Sequence, residues 1–305
     1  MKRIVALLVL VAMSAMLFAC GSPAVSTTAY GTESSSSSAG LPNVPVGSYI
    51  TPYADIDFSD GEIKDKKEII TLEIKNGGDD KAAYITELPV SFMGKEKILP
   101  VLCIKKAGTW VKGTFSAFEN GEEFDAFVAE SGGFSVEAFY LDNSTTGANR
   151  GIVCSTESIG GDARRSGWGI AESANGAPYF ITGHTAENAY SVVYASEASK
   201  TEFVHVIGVY NAETKRNSIY VNGSLASSDT AAGSFTSADK TDVYENFNMA
   251  NAFYIGADPC AAGGKAEKCD FPANDLMVLD IKFYACALTD EEVRTVYAIS
   301  AKAFS

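Results

Sequence analysis

The stretch from Phe203 to Leu225 constrains this chain more than any other. Phe203-Val204-His205-Val206-Ile207-Gly208-Val209-Tyr210 is an almost unbroken β-prone run, and Ser218-Ile219-Tyr220-Val221 leads straight into Asn222-Gly223. Asn and Gly accept the positive φ that a two-residue type I′ turn requires, so the chain is predicted to fold back after Val221 and pair Tyr220 and Val221 with the residues after Gly223. The expected unit is an antiparallel sheet.

Similar short runs recur from Tyr53 onward between Gly, Asn and Asp clusters: 53–58, 69–74, 83–86, 98–104, 113–118, 134–141, 151–155, 168–171, 178–182, 190–194, 253–256 and 276–284. That spacing predicts an all-β sandwich and not an alternating βαβ fold. In the last run Met277, Leu279, Ile281 and Phe283 alternate with Asp280 and Lys282, predicting one core face and one wet face. Two short helices are expected. Glu122–Ala129 has Phe124, Phe127 and Val128 at helical spacing, and Thr289-Asp290-Glu291-Glu292 is a capping box opening a terminal helix through about Ile299. Neither a repeat nor a linker divides residues 49–305, which read as one domain.

The N-terminal 48 residues read differently. Lys2 and Arg3 precede an apolar run from Ile4 to Ala19, an export signal too short for the roughly 20 residues of a spanning helix. Its end, Leu17-Phe18-Ala19-Cys20, resembles a bacterial lipobox, which implies residues 1–20 as a lipoprotein signal peptide ending at a lipidated Cys20 and an extracytoplasmic place on the cell envelope. Residues 21–48, with serines at 34–38, lack apolar periodicity and read as a flexible tether of roughly 30 Å root-mean-square span. With Lys2 and Arg3 removed, 22 basic residues face 38 acidic ones. Phosphate backbones would be repelled, which argues against nucleic-acid partners.

The segments Gly133–Ala138, Phe203–Tyr210, Ile219–Gly223, Phe253–Gly256 and Phe283–Val293, in this order, resemble the laminin-G-like jelly roll of the concanavalin A-like lectin/glucanase superfamily. Asp55–Gly61 resembles the opening strand of the version often fused to bacterial calcineurin-like phosphoesterases. The resemblance implies two antiparallel sheets, one concave, in a module that binds sugar, adheres or serves structure. It also implies calcium where the first and last strands meet, with Asp57, Asp60 and Asp275 as its carboxylates, a role for which hard oxygen ligands suit the ion. Solvated loop carboxylates are the alternative.

Catalytic signals are weak. Two histidines, His184 and His205, are too few for a two-metal phosphoesterase, and His205 reads as core packing while His184 reads as a loop residue. Glu123, Asp125 and Glu130 only approximate the Glu-x-Asp-x-x-Glu strand of glucanases and fall on the first expected helix. A non-enzyme is expected. Cys260 and Cys269 bracket a small-residue loop and are the expected disulfide, whereas Cys103, Cys154 and Cys286 cannot be paired from sequence. For sugar stacking, Trp168 between Gly167 and Gly169 is the leading candidate, with Tyr179 and Tyr190 on neighbouring runs. The expected function is a lipid-anchored, non-catalytic envelope module binding a glycan through the concave face or rim loops. A structural or adhesive protein that binds another protein is the alternative, and a glycoside hydrolase the third.

Overall fold

The computed structural model describes residues 50–75, 83–106, 108–119, 121–144, 148–158, 165–184, 190–196, 200–231, 233–237, 252–258, 273 and 275–304. Cys20, the serine tether, Cys260 and Cys269 lie outside the described residues. The first elements are β1 (Ala54–Asp57), β2 (Ile70–Lys75), β3 (Ala83–Phe92), β4 (Lys95–Ile104), β5 (Trp110–Phe115) and helix α1 (Gly121–Glu130). β6 (Gly133–Asp142), β7 (Arg150–Cys154), the short pair β8 (Glu157–Ser158) and β9 (Arg165–Ser166), β10 (Trp168–Glu172), β11 (Pro178–Gly183) and β12 (Tyr190–Tyr194) follow. The last are β13 (Val204–Asn211), β14 (Arg216–Val221), β15 (Ser224–Thr230), β16 (Ala252–Ile255), β17 (Leu276–Tyr284), helix α2 (Asp290–Ala301) and a 3-10 turn (Lys302–Phe304).

They form a jelly-roll sandwich of two antiparallel sheets. The eight-stranded sheet runs β15-β14-β13-β6-β17-β4-β3, with β1 added beside β17, and the seven-stranded sheet runs β12-β11-β10-β7-β16-β5-β2. One edge of β17 is shared, β4 taking Leu276–Val278 and β1 taking Asp280–Phe283. The Asn222-Gly223 turn forms as expected: both residues have positive φ (48° and 76°), and Val221 faces Ser224 across it. A second such turn at Met93-Gly94 (φ 51° and 71°) joins β3 to β4, so two runs read as short and separate are one hairpin of ten-residue strands.

Between the sheets lies an aromatic core. Phe115, Phe134, Trp168, Phe180, Phe253 and Phe283 are all buried there. Glycines make their room: a Cβ on Gly113 would fall 2.0 Å from the Phe253 ring, and one on Gly208 would fall 2.2 Å from Phe180. Burying each such ring contributes roughly 1.5–3 kcal/mol, so these close approaches are strongly favoured over any larger residue at 113 or 208.

A second apolar layer covers the outer face of the eight-stranded sheet. Helix α2 begins at the expected capping box, with Thr289 and Glu292 bonding each other's backbone N–H. Its stripe of Val293, Val296, Tyr297 and Ala301 packs on residues such as Phe92, Phe139, Phe203 and Ile207. This layer corrects the reading of β17. A bulge between Val278 and Asp280 shifts the alternation, so Leu276, Val278, Ile281 and Phe283 face the core. Met277 and Leu279 pack in the outer layer, and the face expected to be wet is largely covered.

Candidate functional site

β12 is the edge of the seven-stranded sheet, and its alternation divides the strand between two environments. Val193 joins the core, while Val192 belongs to a separate outer cluster with Cys154, Ala171, Tyr179 and Ile181. Tyr190 and Tyr194 share the parity of Val192, standing opposite Gly183 and Tyr179 of β11. Both rings are exposed, at 41% and 54%. The Tyr194 ring lies 5.2 Å from that of Tyr179, tilted by 46°, so a buried tyrosine props an exposed one. Tyr179 and Tyr190, expected from sequence, thus fall on one face. Tyr194 was missed there, although a period of two from Tyr190 marks it.

Trp168 is corrected. It is only 1% exposed, and its indole faces inward against Phe134, Phe253 and Phe283, with ring centroids 6.2, 6.1 and 5.4 Å away. Pairing sets this: Trp168 and Ile170 of β10 point to the core, so it is Gly169 that points outward. The flanking glycines serve the backbone instead. Gly167 has φ of 87°, and a Cβ on Gly169 would come 2.8 Å from Cys154 Sγ. The indole cannot reach a ligand.

The three aspartates expected to hold calcium are not brought together. Asp57 stands opposite Asp280 on β17, and Asp275 lies five residues earlier, just before that strand begins, a separation of ~16 Å at the usual rise. Each has its own cation: Lys66 Nζ lies 2.5 Å from Asp57, Lys64 Nζ 2.6 Å from Asp60, and Lys105 pairs with Asp275. These residues do not fit a shared ion. The loop is ordered by Asp65, which is buried and accepts backbone N–H bonds from Asp55, Lys67, Ile69 and Ile70 at 2.8–3.1 Å.

Two buried ionic clusters also went unread in the sequence. Glu137 on β6, beneath α2, accepts bonds from His205 Nε2 (2.9 Å), Tyr284 Oη (2.5 Å) and Ser300 Oγ (2.7 Å), with Lys282 Nζ at 3.3 Å. Burial alone would raise its pKa, but the Lys282 charge and the bonds from His205 and Tyr284 hold it well below the usual carboxylate range. At one end of the sandwich Arg150 is buried between Asp142 and Glu172, 3.0 Å from the latter, and Glu172 also pairs with the partly exposed Lys200. Both clusters lock elements together.

The remaining candidates resolve as structure. His205 packs among Phe139 and Tyr297, as a core residue should. His184, expected in a loop, is fully buried instead, bridging to Phe235 with Nε2 3.1 Å from Thr182. Asp125 lies on α1 as anticipated and anchors the Thr236 hydroxyl and the Ser237 N–H. Cys103, Cys154 and Cys286 are buried thiols. Beneath Tyr53 a recess lined by Phe115, Phe118, Phe127 and Phe283 has a cavity of about 10 Å³, space for one water.

A model of the concanavalin A-like lectin/glucanases superfamily matches residues 116–294, more than half of the chain. The chain belongs to that superfamily. Among solved structures, it is similar to the binding domain of botulinum neurotoxin serotype G, with a TM-score of 0.54 and 11% identity, 82% of this chain aligning with 51% of that one. It is also similar to the binding domain of botulinum neurotoxin DC in complex with rat synaptotagmin II, with a TM-score of 0.52 and 13% identity over 81% and 51% of the two chains. The chain spans about half the length of these structures, and at such identities the likeness is one of fold. No curated protein matches the sequence.

Proposed function

We propose that this domain is a non-catalytic binding module of the bacterial cell envelope, tethered through lipidated Cys20, that takes a glycan on the outer face of its seven-stranded sheet. The observation carrying the proposal is the pair of exposed rings at Tyr190 and Tyr194 on one face of an edge strand, one of them backed by Tyr179. Aromatic rings already held against a sheet give a sugar apolar contact with little further loss of side-chain freedom. The proposal of a non-enzyme draws support from the carboxylates: Glu137, Asp142 and Glu172 are buried in ion pairs. Screening the chain on a glycan array, with Tyr194→Ala beside it, tests the reading. A specific signal reduced in the variant supports it, and equal signals from both proteins would remove the site from consideration.

A protein-binding role rests on a different surface. On the β3–β4 hairpin Ile98 and Met93 are exposed at 66% and 49%, and loss of a captured protein on Ile98→Asp would favour that role. Two parts of the proposal concern residues outside the described ones. Mass spectrometry of the native N-terminus reads the lipid on Cys20, and non-reducing peptide mapping reads a bridge between Cys260 and Cys269. An unmodified Cys20, or both thiols free in protein taken from the envelope, would count against them.

A further inference from the structure

We propose that the ligand is an uncharged oligosaccharide bound along β12, long enough to touch Tyr190 and Tyr194 at once. This rests on the glycan-binding reading above and narrows it in two respects, charge and length.

Length follows from strand geometry. Tyr190 and Tyr194 are four residues apart on the same face, so their Cα atoms are separated by ~13 Å, the reach of a chain of about three pyranose units and beyond that of one. Val192, half-buried between them, adds apolar surface on the same face. A monosaccharide can occupy either ring but never both. Affinity should therefore climb with chain length until both rings are covered, then level off.

Charge follows from what surrounds the rings. The outward residues of β10 and β11, such as Ala171, Tyr179 and Ile181, are buried, so contact is confined to Tyr190, Val192 and Tyr194 of β12. None is charged. Glu172, the charged residue of β10, points inward to Arg150 and Lys200. β12 itself carries no guanidinium or ammonium to pair with a carboxylate or sulfate, and the chain as a whole carries a net charge of −14. An anionic glycan would be repelled at long range and unpaired at contact, whereas a neutral one meets no such penalty.

The test uses the full chain and measures dissociation constants for neutral gluco-, xylo- and manno-oligosaccharides of one to six units. Oligogalacturonates and sulfated oligosaccharides of the same lengths run beside them, at low and high salt. For at least one neutral series, affinity should rise about ten-fold between the monomer and the tetramer, the factor one further stacked ring is worth, and be insensitive to salt. Tyr190→Ala and Tyr194→Ala should each return the tetramer to monomer-like affinity while lowering the melting temperature by no more than a few degrees. Preference for acidic glycans, with affinity falling as salt rises, would overturn the inference yet leave glycan binding standing, as would full affinity for a monosaccharide. Failure to bind any glycan would overturn both.

Discussion

The two sheets differ in where their outward rings end: beneath a helix on one, and along an edge strand on the other, whose inner outward residues Cys154, Ala171, Tyr179 and Ile181 are buried as well. On the eight-stranded sheet the outward residues include Phe92, Phe139, Phe203 and Ile207, and α2 with its trailing turn covers them so that all are buried. Polar groups on that face are enclosed too, with Glu137 receiving Ser300 from the helix itself. On the seven-stranded sheet the outward residues of β12 end in two exposed tyrosine rings. The same alternation supplies apolar side chains to both surfaces. The difference lies between outward rings packed under α2 and rings exposed along the edge strand β12, and the exposed pair is therefore where a partner is sought.

The sharpest way to break the contrast is from within. Trp168→Ala removes an indole packed against three phenylalanines and should cost about 3–5 kcal/mol of unfolding free energy, read by denaturant titration. A loss under 1 kcal/mol would contradict a core tryptophan.

The sealed face should break next. Glu137→Ala strands Lys282, His205, Tyr284 and Ser300 without their shared acceptor and should cost about 3 kcal/mol, with protease cleavage appearing in α2 before the sheets unfold. Because the folded pKa of Glu137 is held below its ordinary value, its contribution is present above about pH 4 and is lost as the pH falls further.

A smaller, pH-dependent effect belongs to His184. Burial lowers its pKa to about 4, so the neutral ring is what the fold accepts. Stability should be complete above about pH 6.5, its value in an unfolded chain, and should decline by of order 2 kcal/mol as the pH falls to about 4. Melting curves of His184→Gln across that interval should be flatter than those of the parent.

The open face should give the least response in stability. Tyr194→Ala loses only its ring contact with Tyr179 and should change unfolding free energy by no more than about 1 kcal/mol. A larger loss would mean that the ring is itself part of the packing, and the two faces would no longer differ in kind.

What could be read in the sequence was what is decided locally. The Asn222-Gly223 turn and the Thr289 capping box rest on the chemistry of residues within three positions of one another, and both formed as expected. Tyr190 and Tyr179 could be placed on strands for the same reason. Non-local choices were hidden. The direction of Trp168 depends on its pairing opposite Thr182, and the two faces of β17 are set by a bulge against β6. Lys105 is 170 residues from Asp275, and Ser300 is 163 residues from Glu137. No spacing rule joins residues that only the completed sandwich makes neighbours, so the Lys105–Asp275 pair and the Glu137 cluster went unforeseen.

The position of Ile50 has a mechanical consequence. It packs with Ala287 on the helix-covered side of the eight-stranded sheet, far across the sandwich from the tyrosines. A pull between a captive on β12 and the polypeptide leading into Ile50 must then be carried through the thickness of the domain. β1 is the first strand such tension reaches, and it is stitched to β17 over four residue pairs. Under rising load β1 should peel away before the ten-residue β6 parts from its neighbours, leaving the gripping surface intact while the slack is taken up behind it.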